Sequence, residues 1–454
     1  MSAPRARLLV SGDLHLGRYP TRVPPGDPAL TVEAVVRSLV DQAIERRVDA
    51  LVLTGDVADE SNKYFEAFGV LERALHRLAE AGVPVFAVAG NHDYDVLGSV
   101  ADAVGSDRVR VLGRGEQWEA ATIEKGGRPV VRLVGWSFAG PHVLVSPLDT
   151  LPDLGESALP VVGVVHADLD APASPYAPLA LADLWASGAS AWLLGHIHAP
   201  RLETRDGQLV LYPGSPQPLD PGESGPHGAW LVEIADDGAA SAERVHLATL
   251  RYDAVSVDLD GADTATAVRE QIARALREHG ESVRDEAPAV RRAVVRLVLK
   301  GRTEAYRDVA RVADETIEAG EVALGGLVVA VDRVVDRSRP ALDLEALSAG
   351  SGPVATLAAL ARRLDAGTPS PSDLGLIRRG VEALQQARAA RVFEPLARDA
   401  RLDDDLEAEA AARLRRQTYR LLDEALAQRP TETGLPAHAG DSATSAPPDV
   451  AATP

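Results

Sequence analysis

Short apolar runs that stop on glycine and a polar residue recur along the first two hundred positions. Leu51-Val52-Leu53-Thr54-Gly55-Asp56 is the cleanest, and Val10-Ser11-Gly12-Asp13-Leu14-His15 and Val88-Ala89-Gly90-Asn91-His92-Asp93 repeat the form. Runs of this length, bounded by turn chemistry, predict strands buried on both faces of a parallel sheet. Between them the period changes. Val32, Val35, Val36, Leu39, Val40, Ala43 and Ile44 recur at three and four behind Thr31, which predicts a capped amphipathic helix. Phe68, Leu71, Leu75 and Leu78 predict a second helix, ended by Gly82 and Pro84, with a third strand over Val83 to Ala89. Strand, helix, strand, helix, strand is the signature of an α/β fold.

From about Val109 the helical period fades. Val130 to Val134, Val161 to Val165, Ala191 to Leu194, Leu209 to Tyr212 and Ala229 to Ile234 all predict strands. A strand-rich second half implies two stacked sheets with helices outside, a four-layer αββα sandwich over residues 1–250. Leu14 to Ala29, which carries Arg18 and Arg22, and Ala167 to Pro178 predict loops. A small α/β cap follows over 251–340. Its expected strands are Val255 to Leu259, Val290 to Leu299 and Val322 to Val335. One helix is expected through Val268, Ile272 and Leu276, ending near Gly280, and another around Val309 and Val312. Residues 341–429 predict a helical region with helices over Val354 to Leu364, Leu374 to Phe393 and Asp405 to Leu426. Residues 430–454 lack periodicity and predict a disordered tail.

Composition narrows the function classes. With 454 residues, 46% of them hydrophobic and 25% charged, the chain has room for two or three ordinary globular domains. No run of about 18 apolar residues exists to span a membrane, and the first residues lack the apolar segment of a signal peptide, so a cytoplasmic location is expected. Cysteine is absent, which leaves His, Asp, Glu and Asn to hold any metal. The net charge of −20 argues against a globally basic nucleic-acid binder. A local exception lies in residues 291–311, where seven Arg or Lys stand against Glu304 and Asp308; a solvated face and a DNA-facing surface explain it equally well.

The strand ends carry the chemistry. Reactive groups in parallel α/β sheets collect beyond the carboxyl ends of the strands. Here those ends hold Asp13 and His15, then Asp56, then Asn91, His92 and Asp93, then His166 after Val164-Val165, then His196 and His198 after Leu193-Leu194-Gly195. Residues two apart in extended backbone point to one side, so Asp13 with His15 and His196 with His198 can each deliver two ligands to one centre. Any one of these would pass as a loop polar pair, a turn or a satisfied core histidine. Five in succession point to a metal site. Carboxylate, imidazole and amide ligands suit Mn²⁺, Fe²⁺ or Zn²⁺. Two such ions about 3.5–4 Å apart can clamp a phosphate and activate water, and Asp56 is the natural bridging carboxylate. His142 and His227, in Gly/Pro loops, are further candidates for substrate contact; His76 reads as a surface residue.

The order Asp-x-His, Gly-Asp, Gly-Asn-His-Asp, His, Gly-His-x-His resembles the calcineurin-like metallophosphoesterase superfamily over residues 8–198. Asp13-Leu14-His15-Leu16-Gly17, with Leu211-Tyr212-Pro213-Gly214-Ser215-Pro216 and Arg296 to Thr303, is similar to its SbcD-type DNA repair exonuclease branch. The resemblance implies one metal on Asp13, His15, Asp56 and His198, and a second on Asp56, Asn91, His166 and His196. It implies two divalent ions, Mn²⁺ foremost. It makes His92 the unligated acid at the leaving oxygen, with Asp93 either orienting its ring or capping a helix. It also implies DNA as substrate, an SbcC-type coiled-coil ATPase docked on the C-terminal helices, and a homodimer. Where some members carry a histidine three residues past the bridging carboxylate, this chain has Asp59. A small-molecule phosphodiesterase or phosphatase and a non-catalytic scaffold are the competing classes; the scaffold fits poorly because every ligand position is filled.

Overall fold

The computed structural model describes residues 4–59, 65–105, 107–154, 158–388 and 406–427. The chain divides into two compact units, Met1–Ser338 and Arg339–Pro454.

In the first unit, β1 (Ala6–Ser11), β2 (Ala50–Leu53), β3 (Val85–Ala87) and β4 (Val109–Val111) run parallel and side by side. The crossovers between them are α1 (Val32–Glu45), α2 (Phe65–Glu80) and α3 (Leu97–Val104). Thr31 caps α1 as its spacing predicts, its hydroxyl accepting from the Ala34 N–H at 3.2 Å. The second sheet takes β5 (Glu119–Lys125), β6 (Arg128–Trp136), β7 (Val161–His166), β8 (Ala191–Gly195), β9 (Arg201–Arg205) and β10 (Gln208–Tyr212), in the order β5-β6-β7-β8-β10-β9, with α4 (Leu181–Ala186) before β8. Then β11 (Gly228–Ile234) and β12 (Ala240–His246) return to the first sheet beside β1.

Leu8 and Val10 of β1 face Val164, Leu193 and Leu211 in one core between the sheets, while Leu9 faces Val35, Leu39 and Leu71 in a second core under the helices. Strands buried on both faces need an apolar residue at every position, which is why their runs are continuous. Trp136, Val165 and Trp192 form a third core with Leu184 of α4 on the far face of the second sheet. The αββα sandwich is therefore as the pattern predicts.

A third sheet follows in the same unit. It comprises β13 (Leu250–Asp258), β14 (Arg292–Lys300), β16 (Glu321–Leu324) and β17 (Leu327–Asp336) in the order β13-β14-β17-β16, and the two-residue β15 (Arg302–Thr303) lies outside it. Its apolar face packs on α5 (Ala265–Glu286) and α6 (Tyr306–Ala319). The expected stop at Gly280 does not occur. Gly280 lies inside α5 because a Cβ there would overlap Leu324 and crowd Val329, so the residue permits close packing rather than ending the helix.

The second unit is helical: α7 (Leu344–Ser348), α8 (Gly352–Asp365), α9 (Pro371–Arg388) and α10 (Leu406–Ala427). Ile377, Leu384 and Ala410 form its core with Leu364, Val381 and Leu414. The expected extension of α9 to Phe393, the Asp405 start and the 430–454 tail lie outside the described residues. Among the described residues no helix is long and apolar enough to cross a membrane. The start of α9 is a reciprocal cap: Asp373 accepts from the Ser370 N–H at 2.8 Å, and the Ser370 hydroxyl accepts from the Asp373 N–H at 3.3 Å. Arg363 grips the same carboxylate at 2.7 and 3.0 Å. Asp373→Ala is expected to destabilise this unit by about 1–2 kcal/mol in chemical denaturation of the full chain. Arg363, ahead of the Ser370 contacts, holds the Asp373 carboxyl well below the usual range. A depressed acid stabilises the fold above its unfolded pKa of about 4 and loses that contribution as pH falls toward the folded value. The wild-type advantage over the variant should therefore shrink on acidification below about pH 4.

Candidate metal centre

Asp13, His15, Asp56, Asn91, His166, His196 and His198 all converge at one end of the two central sheets. Asp13, His15, Asp56 and His166 are buried and form the floor; Asn91, His92, His196 and His198 are partly exposed and form the rim. Among the described residues three sets bring one candidate ligand atom each within 4.8 Å of one another: Asp13 with His15 and His198, His15 with Asp56 and His92, and Asp13 with Asp56 and His166.

The local route to this convergence differs from the one expected. Asp13, His15, Asp56 and His196 are not in extended backbone; they lie beyond β1, β2 and β8 with φ of 49°, 47°, 49° and 95°. Left-handed backbone is unfavourable for side-chain-bearing residues and clusters at functional sites. It is fixed here by pairing between loops: Asp13 N–H donates to Gly55 O and His15 N–H to Asp56 O, both at 2.9 Å. Tight turns, rather than strand alternation, aim the pairs inward. Gly90 is required beside them, since a Cβ there would overlap the Asp56 carboxylate.

Hydrogen bonds to the outer atoms of His166, His15, His198 and Asp13 leave one atom of each directed inward. His166 donates through Nδ1 to the Thr54 carbonyl at 3.1 Å, so its Nε2 meets only oxygens, Asn91 Oδ1 at 3.1 Å and Asp56 Oδ2 at 3.4 Å. His15 Nδ1 lies 3.2 Å from Asp59 Oδ2 and His198 Nδ1 2.9 Å from Glu223 Oε1, while their Nε2 atoms face each other at 3.0 Å. Two imidazole nitrogens so placed need a proton or a cation between them. Asp13 accepts from the His196 N–H through one oxygen; the other is buried with no hydrogen-bond partner. A buried acceptor of this kind is costly unless a cation meets it. The donor set therefore fits divalent metals.

The electrostatics agree. Burial works against ionisation of Asp56, but His166, His15 and His92 outweigh it and hold its carboxyl well below the usual range. Burial would lower His166, yet the charge of Asp56 raises it to about 9. Burial raises Asp13. Burial and the neighbouring His166 lower His196 to about 3, leaving it neutral and fit to be a ligand.

Asp93 departs from expectation. Its carboxylate is not directed at the His92 ring. One oxygen accepts from the Gly90 N–H at 2.8 Å and the other from the Val57 N–H at 2.7 Å, tying the β2 and β3 loops together. Burial, with Asp56 nearby, pushes it up to about 7. His92 instead has Asp59 Oδ2 4.0 Å from its Nδ1, and its backbone N–H donates to Asp56 at 2.9 Å. His227 is only 2% exposed, which excludes the expected contact with substrate. His142 is exposed, its ring 5.6 Å from Tyr176, whose ring lies 4.5 Å from His196. Residues 167–178 form no helix or strand, yet Ala167 and Ala177 are buried.

Sequence reasoning missed the roles of Asp59 and Glu223. Asp59 was legible as a third residue after Asp56, and Glu223 as the second acid after the Tyr-Pro-Gly-Ser turn, but only the fold shows them behind His15 and His198. Carboxylates behind ligating imidazoles fix tautomer and orientation. Glu223→Ala is expected to weaken divalent-metal affinity by about 10- to 100-fold, measured by competition with a metal chelator.

Comparison with known proteins agrees with this geometry. The calcineurin-like phosphoesterase family matches residues 6–200, and the middle domain of metallophosphoesterase YhaO matches residues 252–356. The uncharacterized metallophosphoesterase YhaO of Bacillus subtilis is 28% identical over 59% of this chain, which spans only 64% of that protein's length. The DNA double-strand break repair protein Mre11 of Haloferax volcanii is 28% identical over 89% of this chain and 84% of its own. Mre11 of Aeropyrum pernix is 28% identical over 60% and 68% respectively. With a phosphoesterase match that ends just past His198 and a YhaO-type segment after it, the chain carries a calcineurin-like phosphoesterase domain over residues 6–200.

Proposed function

We propose that this protein is a manganese-dependent DNA nuclease of the SbcD type, hydrolysing phosphodiester bonds in DNA repair as exonuclease and endonuclease. The observation that carries the reading is the convergence around Asp56 of Asp13 Oδ2, which has no hydrogen-bond partner, with the Nε2 atoms of His15, His166 and His198, which face one another or acceptor oxygens. DNA rather than a small substrate is supported by the Mre11 relatives, whose names place them in double-strand break repair.

Asp13, His15, Asp56 and His198 would hold one ion, and Asp56, Asn91, His166 and His196 the other. Two divalent ions supply Lewis acidity and an activated water to such a site. The chain does the rest. Asp56 offers one oxygen to the pocket and uses the other to fix the His92 backbone. Asp59, 3.2 Å from the Nδ1 of His15, favours a proton on that nitrogen, so that the His15 Nε2 keeps a lone pair for the ion. His92, 33% exposed at the rim, stands where it can protonate the leaving oxygen. The helices of the second unit are the proposed docking surface for an SbcC-type ATPase. The 251–340 segment is the proposed DNA-facing cap, and a cytoplasmic homodimer the proposed working form.

Purified full-length protein should degrade linear duplex and single-stranded DNA with Mn²⁺, alone or with its ATPase partner. Turnover confined to cyclic nucleotides or phosphomonoesters would favour the small-molecule reading.

A further inference from the structure

The loop after His15 leads away from the metal centre to a second feature. Arg18 Nε lies 4.0 Å from Asp59, and Tyr19 is 62% exposed. Thr21 is pinned from two sides, its N–H donating to Leu219 O at 2.8 Å and its carbonyl accepting from the Tyr252 hydroxyl on β13. Arg22 follows with φ of 60°. That conformation is unfavourable for a non-glycine residue, and it persists only where the surroundings impose it. Its Nε stands 3.5 Å from Asp332 on β17. Arg22, Asp220, Gly222, Arg296, Asp332 and Arg333 line a cleft of about 600 Å³.

Arg296 and Arg333 are register partners on β14 and β17, at the point where the pairing shifts by a bulge after Val295. Both are exposed. Like charges side by side on neighbouring strands destabilise a sheet, and bulges re-aim side chains. Neither arginine pairs with a carboxylate among the described residues. Asp332 faces Arg22, and Asp220 Oδ1 accepts from the Gly222 N–H at 2.7 Å. Two guanidinium groups that form no ion pair among the described residues therefore share the cleft with a strained third, and three arginines there stand against Asp220 and Asp332.

We propose that this cleft is a phosphate subsite, in which Arg22, Arg296 and Arg333 bind phosphate groups of a nucleotide chain whose scissile bond lies at the metal centre. Guanidinium forks match phosphate oxygens, and an anion relieves the Arg296–Arg333 repulsion. Arg18 and Tyr19 lie between His15 and Arg22 on the loop that joins the two sites in sequence. The proposal rests on the nuclease reading for its substrate. Free phosphate shares the same chemistry.

The test uses Mn²⁺-loaded full-length protein and a labelled phosphorothioate oligonucleotide, which keeps the backbone charge and resists cleavage. Arg333→Glu should lower its affinity at least ten-fold while the melting temperature holds or rises, because a like-charge pair becomes an ion pair. Arg296→Gln with Arg333→Gln should reduce the slope of log affinity against log salt by about 2. Calorimetry with inorganic phosphate separates the sources. If phosphate binding is lost while oligonucleotide affinity is unmoved, the cleft is a free-phosphate site. If neither ligand responds, or affinity falls only together with the melting temperature, the proposal is overturned. Wild-type binding that responds to these variants without any DNA cleavage would sink the nuclease reading and leave the cleft standing.

Discussion

Asp56→Asn protein is expected to retain fewer than two divalent ions per chain and to lose phosphodiester hydrolysis by about 10³-fold or more. The side chain is nearly isosteric, so β2 and its loop should fold as before. What disappears is a negative charge where His166, His15 and His92 all approach, carried by the carboxylate oxygen 3.7 Å from His15 and 3.4 Å from His166 that would bridge two ions. A bound metal contributes several kcal/mol to the transition state, and each 1.4 kcal/mol is about tenfold in rate. Elemental analysis of the purified variant, beside steady-state rates at saturating Mn²⁺, reads both effects. Full metal content with full activity would remove Asp56 from the bridge.

His92→Ala should separate chemistry from metal binding. A positioned general acid contributes about 10²–10⁴-fold, so kcat should fall by that factor while two ions per chain remain and KM changes little. The loss should be large for DNA, whose sugar oxygen is a poor leaving group. It should be small for a nitrophenyl phosphodiester, which departs without a proton. His92 also lies within reach of His15 and Asp56 as a possible third ligand, and that alternative makes the opposite prediction: metal content drops and both substrates suffer alike.

The sequence is most readable where burial is complete. β1, β2, β7, β8 and β10 are apolar at nearly every position because both faces are covered, and each was legible as a strand. In the two central sheets the strands that escaped are β4, β5, β9 and β12, and these are the four edges. An edge strand carries polar side chains and little burial, as in Arg201-Leu202-Glu203-Thr204-Arg205, so no apolar run marks it. The ligand residues were legible from type and order. Their convergence through left-handed turns was not, because φ is invisible in an Asp-x-His spacing. The supporting carboxylates were hidden by distance along the chain, 44 residues from His15 to Asp59 and 25 from His198 to Glu223.

Anomalous diffraction from crystals grown with Mn²⁺ is the most direct measurement of the metal centre. Two peaks about 3.5–4 Å apart are expected, one toward Asp13 and His198 and one toward Asn91 and His196, with Asp56 between them. A single peak, or ions bound away from these side chains, would contradict the two-metal site and the hydrolytic function built on it.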